Sequence, residues 1–200
     1  MYILTAAIIL LLVALTAVLL YLARGGLFSK ITVDEREDGP FLLVYKMHTG
    51  DYKNIGPVMD KVYYMLRDEY QLETTRGFGL YFDNPKETDK SQLRSLGGCI
   101  VDGMTQEQLE NRCPGIKESL AVAHFPKSLS VAAEHPYKGM VSIILGVFRV
   151  YPRLEAWMRK YNRRSVPVME IYDTPGRTIT YLAAVDVPDA IFENLLNQGA

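Results

Sequence analysis

Val168-Met169-Glu170-Ile171-Tyr172-Asp173-Thr174-Pro175 is a short run of strand-forming residues that stops in a turn. Phe78-Gly79-Leu80-Tyr81-Phe82-Asp83-Asn84-Pro85 echoes it, with an aromatic residue, Asp, a small polar residue and Pro in the same order, 90 positions earlier. A second echo supports the first. His48 closes the apolar run 41–47, and His135 closes the run 129–134, 87 positions later. The two offsets differ by only a few residues of insertion or deletion and predict one domain built of two similar halves. The expected fold class is α+β: an N-terminal single-pass transmembrane helix, then a duplicated β-α-β-β domain.

Composition frames that reading. The chain has 200 residues, 48% hydrophobic, and a formal net charge of -1. A balanced charge gives no footprint for direct nucleic-acid binding, which asks for a basic domain. Cys99 and Cys113 are the only cysteines, so no disulfide framework is expected. Residues 1–23 carry no charged side chain. About 21 apolar residues at ~1.5 Å each span a hydrocarbon core of roughly 30 Å. A cleaved leader would begin with basic residues and end in a small-x-small site. Here nothing basic precedes the segment, and Tyr21 stands two before Ala23. Residues 1–23 are therefore expected to be a retained signal anchor. Arg24 and Lys30 follow it, which by the positive-inside rule puts the domain in the cytosol.

The remaining boundaries follow in order. Residues 24–40, with Asp34-Glu35-Arg36-Glu37-Asp38, are expected to be a solvated juxtamembrane linker. The domain is expected over 41–186, with half one at 41–103 and half two at 128–186. In the first half, a strand over 41–48 leads to a helix over 54–70 whose apolar stripe includes Ile55, Val58, Val62 and Leu66. Strands over 77–82 and 93–101 follow. Thr105 and Gln108 have the spacing of a capping box for a short helix to residue 112. The second half has a strand over 128–134, a helix from 140 and strands over 166–172 and 178–185. Pro152 either kinks that helix or opens another. Arg159, Lys160, Arg163 and Arg164 gather at its C-terminal end, where positive charge complements the helix dipole. Residues 187–200 form a short tail with an amphipathic pattern.

One side chain stands out chemically. With Tyr172 aligned to Phe82, Glu170 aligns with Leu80. Alternation then puts Val168, Glu170 and Tyr172 on one strand face. A carboxylate on an apolar, aromatic face is costly unless paired or solvated. Glu170 is thus either a ligand contact in a cleft with Tyr172, Phe82 and Leu80, or a residue in a solvated groove or paired with Arg153 or Arg164. His48, His124 and His135 have no metal-ligand spacing. No nucleophile, phosphate-loop or dinucleotide motif is present, so no catalytic residue, metal or cofactor is assigned.

The duplicated pattern with its aromatic-Asp-x-Pro turns resembles the gyrase-inhibitor-like superfamily, itself related to the SOUL haem-binding fold. In drug-sensing members an acidic cleft residue meets cationic ligands, and the resemblance gives that place to Glu170. Val44-Tyr45-Lys46-Met47-His48, Tyr81-Phe82-Asp83-Asn84-Pro85, His135-Pro136-Tyr137, Tyr151-Pro152 and Glu170-Ile171-Tyr172 look like landmarks of the testis-expressed protein 264 family, over about residues 1–186. The resemblance implies an adaptor in the endoplasmic reticulum membrane, extending to the nuclear envelope and autophagosome. It implies a receptor for selective autophagy of that organelle (reticulophagy) and a recruiter of crosslink-repair factors. The implied partners are the membrane, autophagosomal ubiquitin-like proteins and an unfolding ATPase. The alternative is a sensor or hydrolase using a cleft around Glu170. The family receptor carries its partner motif in a long acidic C-terminal region. Here Phe192-Glu193-Asn194-Leu195 is the matching candidate, with Phe192 and Leu195 either the two anchors of an added strand or the inner face of a packed helix.

Overall fold

The structure, a computed structural model, describes residues 2–199. Helix α1 (Tyr2–Arg24) is long and apolar enough to cross a membrane. It stops where Gly26 takes a left-handed φ of 101°. The amide of Gly26 donates to the Ala23 carbonyl, and the amide of Leu27 donates to that of Leu22. That pair of bonds is a Schellman cap, and glycine is the residue that closes it without strain.

Residues 24–40 are not the solvated linker that their charges suggest. Strand β1 (Val33–Asp38) pairs antiparallel with β6 (Ser128–Pro136) at the sheet edge. Its charges are used in pairs: Arg36 with Glu134 at 3.0 Å, Glu35 with Arg163 at 2.6 Å, and Glu37 with Lys127 at 2.6 Å. A charged edge strand also resists edge-to-edge association.

The other strands are β2 (Phe41–Thr49), β3 (Arg76–Tyr81), β4 (Arg94–Ile100), β5 (Ala121–Phe125), β7 (Val168–Asp173) and β8 (Thr178–Ala184). The helices are α2 (Ile55–Tyr64), α3 (Gln106–Arg112), α4 (Ile116–Ser119), α5 (Met140–Lys160) and α6 (Asp189–Gly199). All eight strands form one antiparallel sheet in the order β1-β6-β8-β7-β3-β4-β2-β5. The run β2-α2-β3-β4 and the run β6-α5-β7-β8 share one element order. They meet where β3 pairs with β7.

Alternation along the strands separates two cores. One face gathers Leu43, Tyr45, Phe78, Leu80, Met169 and Ile171, closed at one side by α6. The opposite face is roofed by α2, α3 and α4 over Val44 and Cys99, and by α5 over Ala133, Ile179 and Tyr181. Cys99 and Cys113 are free and buried, and burial raises both thiols above their ordinary value.

Two helix expectations can be placed directly. Thr105 caps α3 in a capping box with Gln108. Pro152 neither ends α5 nor starts a new helix; the 21 residues run through it. Strand β5 and helix α4 are additions that the two-halves pattern did not contain.

The tail is also different from an exposed peptide motif. Phe192 and Leu195 are 4% and 2% exposed on the inner side of α6. Phe192 meets the rings of Phe82 and Phe125, and Tyr45 Oη donates to the Leu195 carbonyl at 2.8 Å. The apolar spacing that resembled a strand-addition motif is the buried stripe of a packed helix.

Candidate functional site

Glu170 lies mid-strand on β7, opposite Gly79 of β3 and Tyr181 of β8. It is 2% exposed. Tyr151, brought over the sheet by α5, donates its hydroxyl to Oε1 at 2.8 Å. Tyr172, two residues along the same strand face, donates to Oε2. Both carboxylate oxygens are therefore engaged by phenols, and no cation among the described residues touches them. Burial pushes the Glu170 carboxyl above its ordinary value, and the bonds from Tyr172 and Tyr151 draw it part of the way back. The phenols respond in kind. Burial first, then the neighbouring carboxylate, holds Tyr151, Tyr172 and Tyr81 well above the usual tyrosine range.

Tyr81 is the member of this cluster that the sequence did not bring forward. The notional alignment of Tyr172 with Phe82 uses an offset of 90, taken from the Asp-x-Pro turns. An even offset preserves strand faces only if both strands keep the same phase relative to the turn. They do not: Asp173 is the last residue of β7, whereas β3 already ends at Tyr81, two residues before Asp83. The ladder settles the faces. Phe78 pairs with Ile171 and Leu80 with Met169, while Gly77 pairs with Tyr172, Gly79 with Glu170 and Tyr81 with Val168. Leu80 and Phe82 therefore belong to the opposite core, and only Glu170 and Tyr172 of the four candidates come together. A one-residue slip in strand phase moves a side chain to the other face.

The neighbour of Tyr172 across the seam is thus Tyr81, whose phenol is raised by burial and by the same carboxylate. Gly79 makes this possible. A Cβ there would lie 2.7 Å from Tyr81 Oη, so the ring folds back over the bare glycine backbone toward Glu170. Tyr52 packs edge-on against Tyr81 at 4.9 Å and donates its hydroxyl to the Asp83 carbonyl at 3.0 Å. The cations proposed as Glu170 partners are elsewhere. Arg153 donates to the Arg149 carbonyl, and Arg164 binds Asp189 and the carbonyls of Val185 and Val187.

Two open recesses of about 300 Å³ each lie away from Glu170. One is lined by Arg36, Asp38, Phe41, Arg76, Ile171 and Asp173. The other lies between residues 40–42 and 101–106. Glu170 lines neither. Among the described residues no cluster of His, Cys, Asp and Glu is arranged to hold a metal.

A second polar cluster joins α1 to the domain. Arg149, on α5, donates to the Gly26 carbonyl, to Ser29 Oγ at 2.9 Å and to the Ser29 carbonyl at 2.7 Å. Ser29 Oγ is 3.4 Å from Nδ1 of His135, which is 1% exposed. Burial, then the adjacent Arg149 charge, lowers the His135 ring below its ordinary value, so the ring is neutral near pH 7. A guanidinium at the C-terminal end of α1 opposes the negative end of its dipole. The His135 ring walls the space around Gly26: a Cβ there would lie 2.9 Å from its Cε1 and Nε2.

No family model matches the chain. The mouse protein named testis-expressed protein 264 homolog is 26% identical over 157 residues, covering 74% of this chain and 47% of the relative. Human testis-expressed protein 264 is 27% identical over 136 residues, covering 65% and 40%. The chain spans less than half the length of these curated relatives. Among solved structures, the crystal structure of the EcmrR C-terminal domain superposes with a TM-score of 0.54 at 12% identity, covering 79% of this chain and 99% of that one. EcmrR in a complex with DNA gives the same score, covering 77% and 57%. At that identity the likeness is one of fold. The ordered strand motifs and the two curated relatives agree: over about two thirds to three quarters of its length the chain is similar to testis-expressed protein 264.

Proposed function

We propose that this protein is an adaptor anchored in the endoplasmic reticulum membrane, presenting a gyrase-inhibitor-like domain of two related halves to the cytosol. In this reading it serves selective autophagy of that organelle and the recruitment of crosslink-repair factors, the functions implied by its family resemblance. The observation that carries the adaptor reading over the alternative is the closure of the Glu170 site. Both carboxylate oxygens are bonded by Tyr151 and Tyr172, and the group is 2% exposed. A site built to receive a small cation would present its carboxylate to the solvent side. The family resemblance supports the same reading. The burial of Phe192 and Leu195 speaks against the tail as the contact for ubiquitin-like proteins. In this reading, partners of residues 2–199 dock on the folded surface.

The test is topological and then biochemical. Protease added to intact microsomes should digest the domain and spare residues 2–24. Proximity labelling from the domain should then mark cytosolic proteins of the reticulum surface. Protection of the domain, or labelling of lumenal proteins, would overturn the orientation.

A second reading keeps one specific observation in its favour. A carboxylate without a cation, ringed by phenols at the seam of two half-sheets, is expensive to bury. A cationic amphiphile reaching Glu170 by displacing Tyr151 would recover that cost. Calorimetric titration with a lipophilic phosphonium cation, comparing wild type with Glu170→Gln, tests it: binding that is lost in the variant supports the sensor, and no heat from either rejects it.

A further inference from the structure

Outside α1, the exposed large apolar side chains are concentrated in one place. Except for Tyr64 and Tyr161, they are Phe28, Met140, Ile144, Val147 and Phe148, between 42% and 73% exposed. Residues 140, 144, 147 and 148 repeat at helical spacing, so they form one outward stripe on the first half of α5. The stripe stops at Pro152, beyond which the same side of the helix carries Glu155 and Arg159. Over 140–148 every residue but Ser142 and Gly146 is apolar, those two lie on the buried side, and the outer face is left unpartnered.

The chain itself indicates what covers that face. The last turn of α1 lies on the same stretch of α5. A Cβ at Gly25 would meet Val141 Cγ1 at 2.6 Å and Leu145 Cδ1 at 3.3 Å. Arg149, one turn on, holds Gly26 and Ser29. The point where α1 ends is therefore fixed against residues 141–149 of α5. From Val141 to Phe148 is ~10 Å along the helix. If α1 crosses a bilayer, the stripe cannot be far from its surface, and interfacial helices sink their apolar side about 5–10 Å into the headgroup boundary. The charges agree. Arg24, Lys30 and Lys138 are exposed around the patch, and residues 20–33 and 136–154 contain no Asp or Glu. Tyr21, 60% exposed at the end of α1, suits the aromatic belt of an interface.

We propose that the first half of α5, with Phe28, is seated in the headgroup layer of the membrane that α1 crosses. The domain then has two attachments to the bilayer, one spanning and one lying on it. This rests on the anchor reading above, and the experiment separates the two. The full chain is reconstituted in nanodiscs of phosphatidylcholine and phosphatidylserine, with or without bromine on the upper acyl-chain carbons. Trp157→Phe removes the native tryptophan, and single tryptophans are placed as Phe148→Trp, Ile144→Trp, Leu12→Trp and Lys86→Trp. Brominated lipid should quench most of the emission at positions 148 and 144, as it does at 12, and leave position 86 unchanged. Emission at 148 and 144 as insensitive as at 86, with 12 quenched, overturns the interfacial helix while leaving the anchor. The same insensitivity accompanied by crosslinking between copies at position 148 overturns it in favour of a second copy of the chain. Loss of quenching at position 12 as well means the anchor reading itself has failed.

Discussion

The Tyr181 hydroxyl occupies the point from which a side chain at residue 146 would grow. Gly146 faces the sheet from α5, Tyr181 is fully buried on β8, and a Cβ at position 146 would fall on Tyr181 Oη and 3.0 Å from Cζ. This glycine sets how closely α5 lies over β8, and through Tyr151 it sets the approach of the helix to Glu170.

Replacing Gly146 by Ala should destabilise the protein despite the gain in helix propensity, which is worth ~1 kcal/mol. Overpacking a rigid core costs about 1–3 kcal/mol. Tyr181 Oη has no hydrogen-bond partner among the described residues, so Tyr181→Phe alone should be stabilising, and it should rescue Gly146→Ala. Denaturant unfolding of the four proteins in detergent, followed by Trp157 fluorescence, measures the cycle. Additive losses with no rescue would show that the two residues do not share this contact.

The Glu170 carboxyl gives a pH signature with a definite sign. Its folded value is raised, so over the window from its ordinary value upward the native state binds more protons than the unfolded chain. Its contribution is present at low pH and is lost as pH rises through the folded value. Glu170→Gln removes that loss and keeps an acceptor for one tyrosine. The variant should match wild type near pH 4 and melt higher at pH 7. His135, lowered in the fold, acts in the opposite sense below about pH 6.5. It is common to both proteins, so the difference between the two melting curves isolates Glu170. A variant that melts lower at pH 7 would show the carboxylate to be net stabilising.

Phe192→Ala with Leu195→Ala should lower the melting temperature sharply. Truncating a buried Phe or Leu costs about 2–5 kcal/mol, and both lie in one core. Loss of any partner in a pull-down would then reflect unfolding of α6. A melting temperature unchanged by the double substitution would return the tail to the list of contact motifs.

Arg149→Met should loosen the junction between α1 and the domain. The substitution keeps the stem, removes the guanidinium bonds to both carbonyls and leaves the Ser29 carbonyl without its donor, while the Gly26 carbonyl keeps the Ser29 amide and hydroxyl. Limited proteolysis in nanodiscs should show new cleavage around residues 26–31, with the core of the domain intact. Charge-assisted bonds of this kind contribute about 1.5–3 kcal/mol each when removed. Cleavage no faster than wild type would show that the Schellman cap and the packing of Gly25 hold the junction alone.

How far each element was legible depends on where its stabilisation comes from. Strands β2, β3, β6, β7 and β8 are fully or largely buried, so their apolar runs announced them. The capping box before α3 is a purely local signal and was readable as such. Val33-Asp34-Glu35-Arg36-Glu37-Asp38 has no such signal, because its partners Arg163, Lys127 and Glu134 are about 90–130 residues away. Glu170 was legible as an anomaly and Tyr172 followed by alternation. Tyr151 and Tyr81 were not, since one arrives on a helix and the other depends on strand phase. The burial of Phe192 was equally hidden: the same amphipathic spacing serves a docked helix and a peptide motif, and only the aromatic contacts with Phe82 and Phe125 decide between them.

A slack connection of 16 residues would let a tethered domain wander by roughly 20–25 Å and turn freely. The cap at Gly26, the grip of Arg149 and the pairing of β1 remove that slack. The junction works as a bracket rather than a leash. Under the proposed anchoring, one side of the protein would stay turned to the lipid and the other outward, and a factor docked on the outer side would be held at a set height and heading above the bilayer. Assembly on such a surface would be governed by the spacing between neighbouring brackets, not by the reach of each.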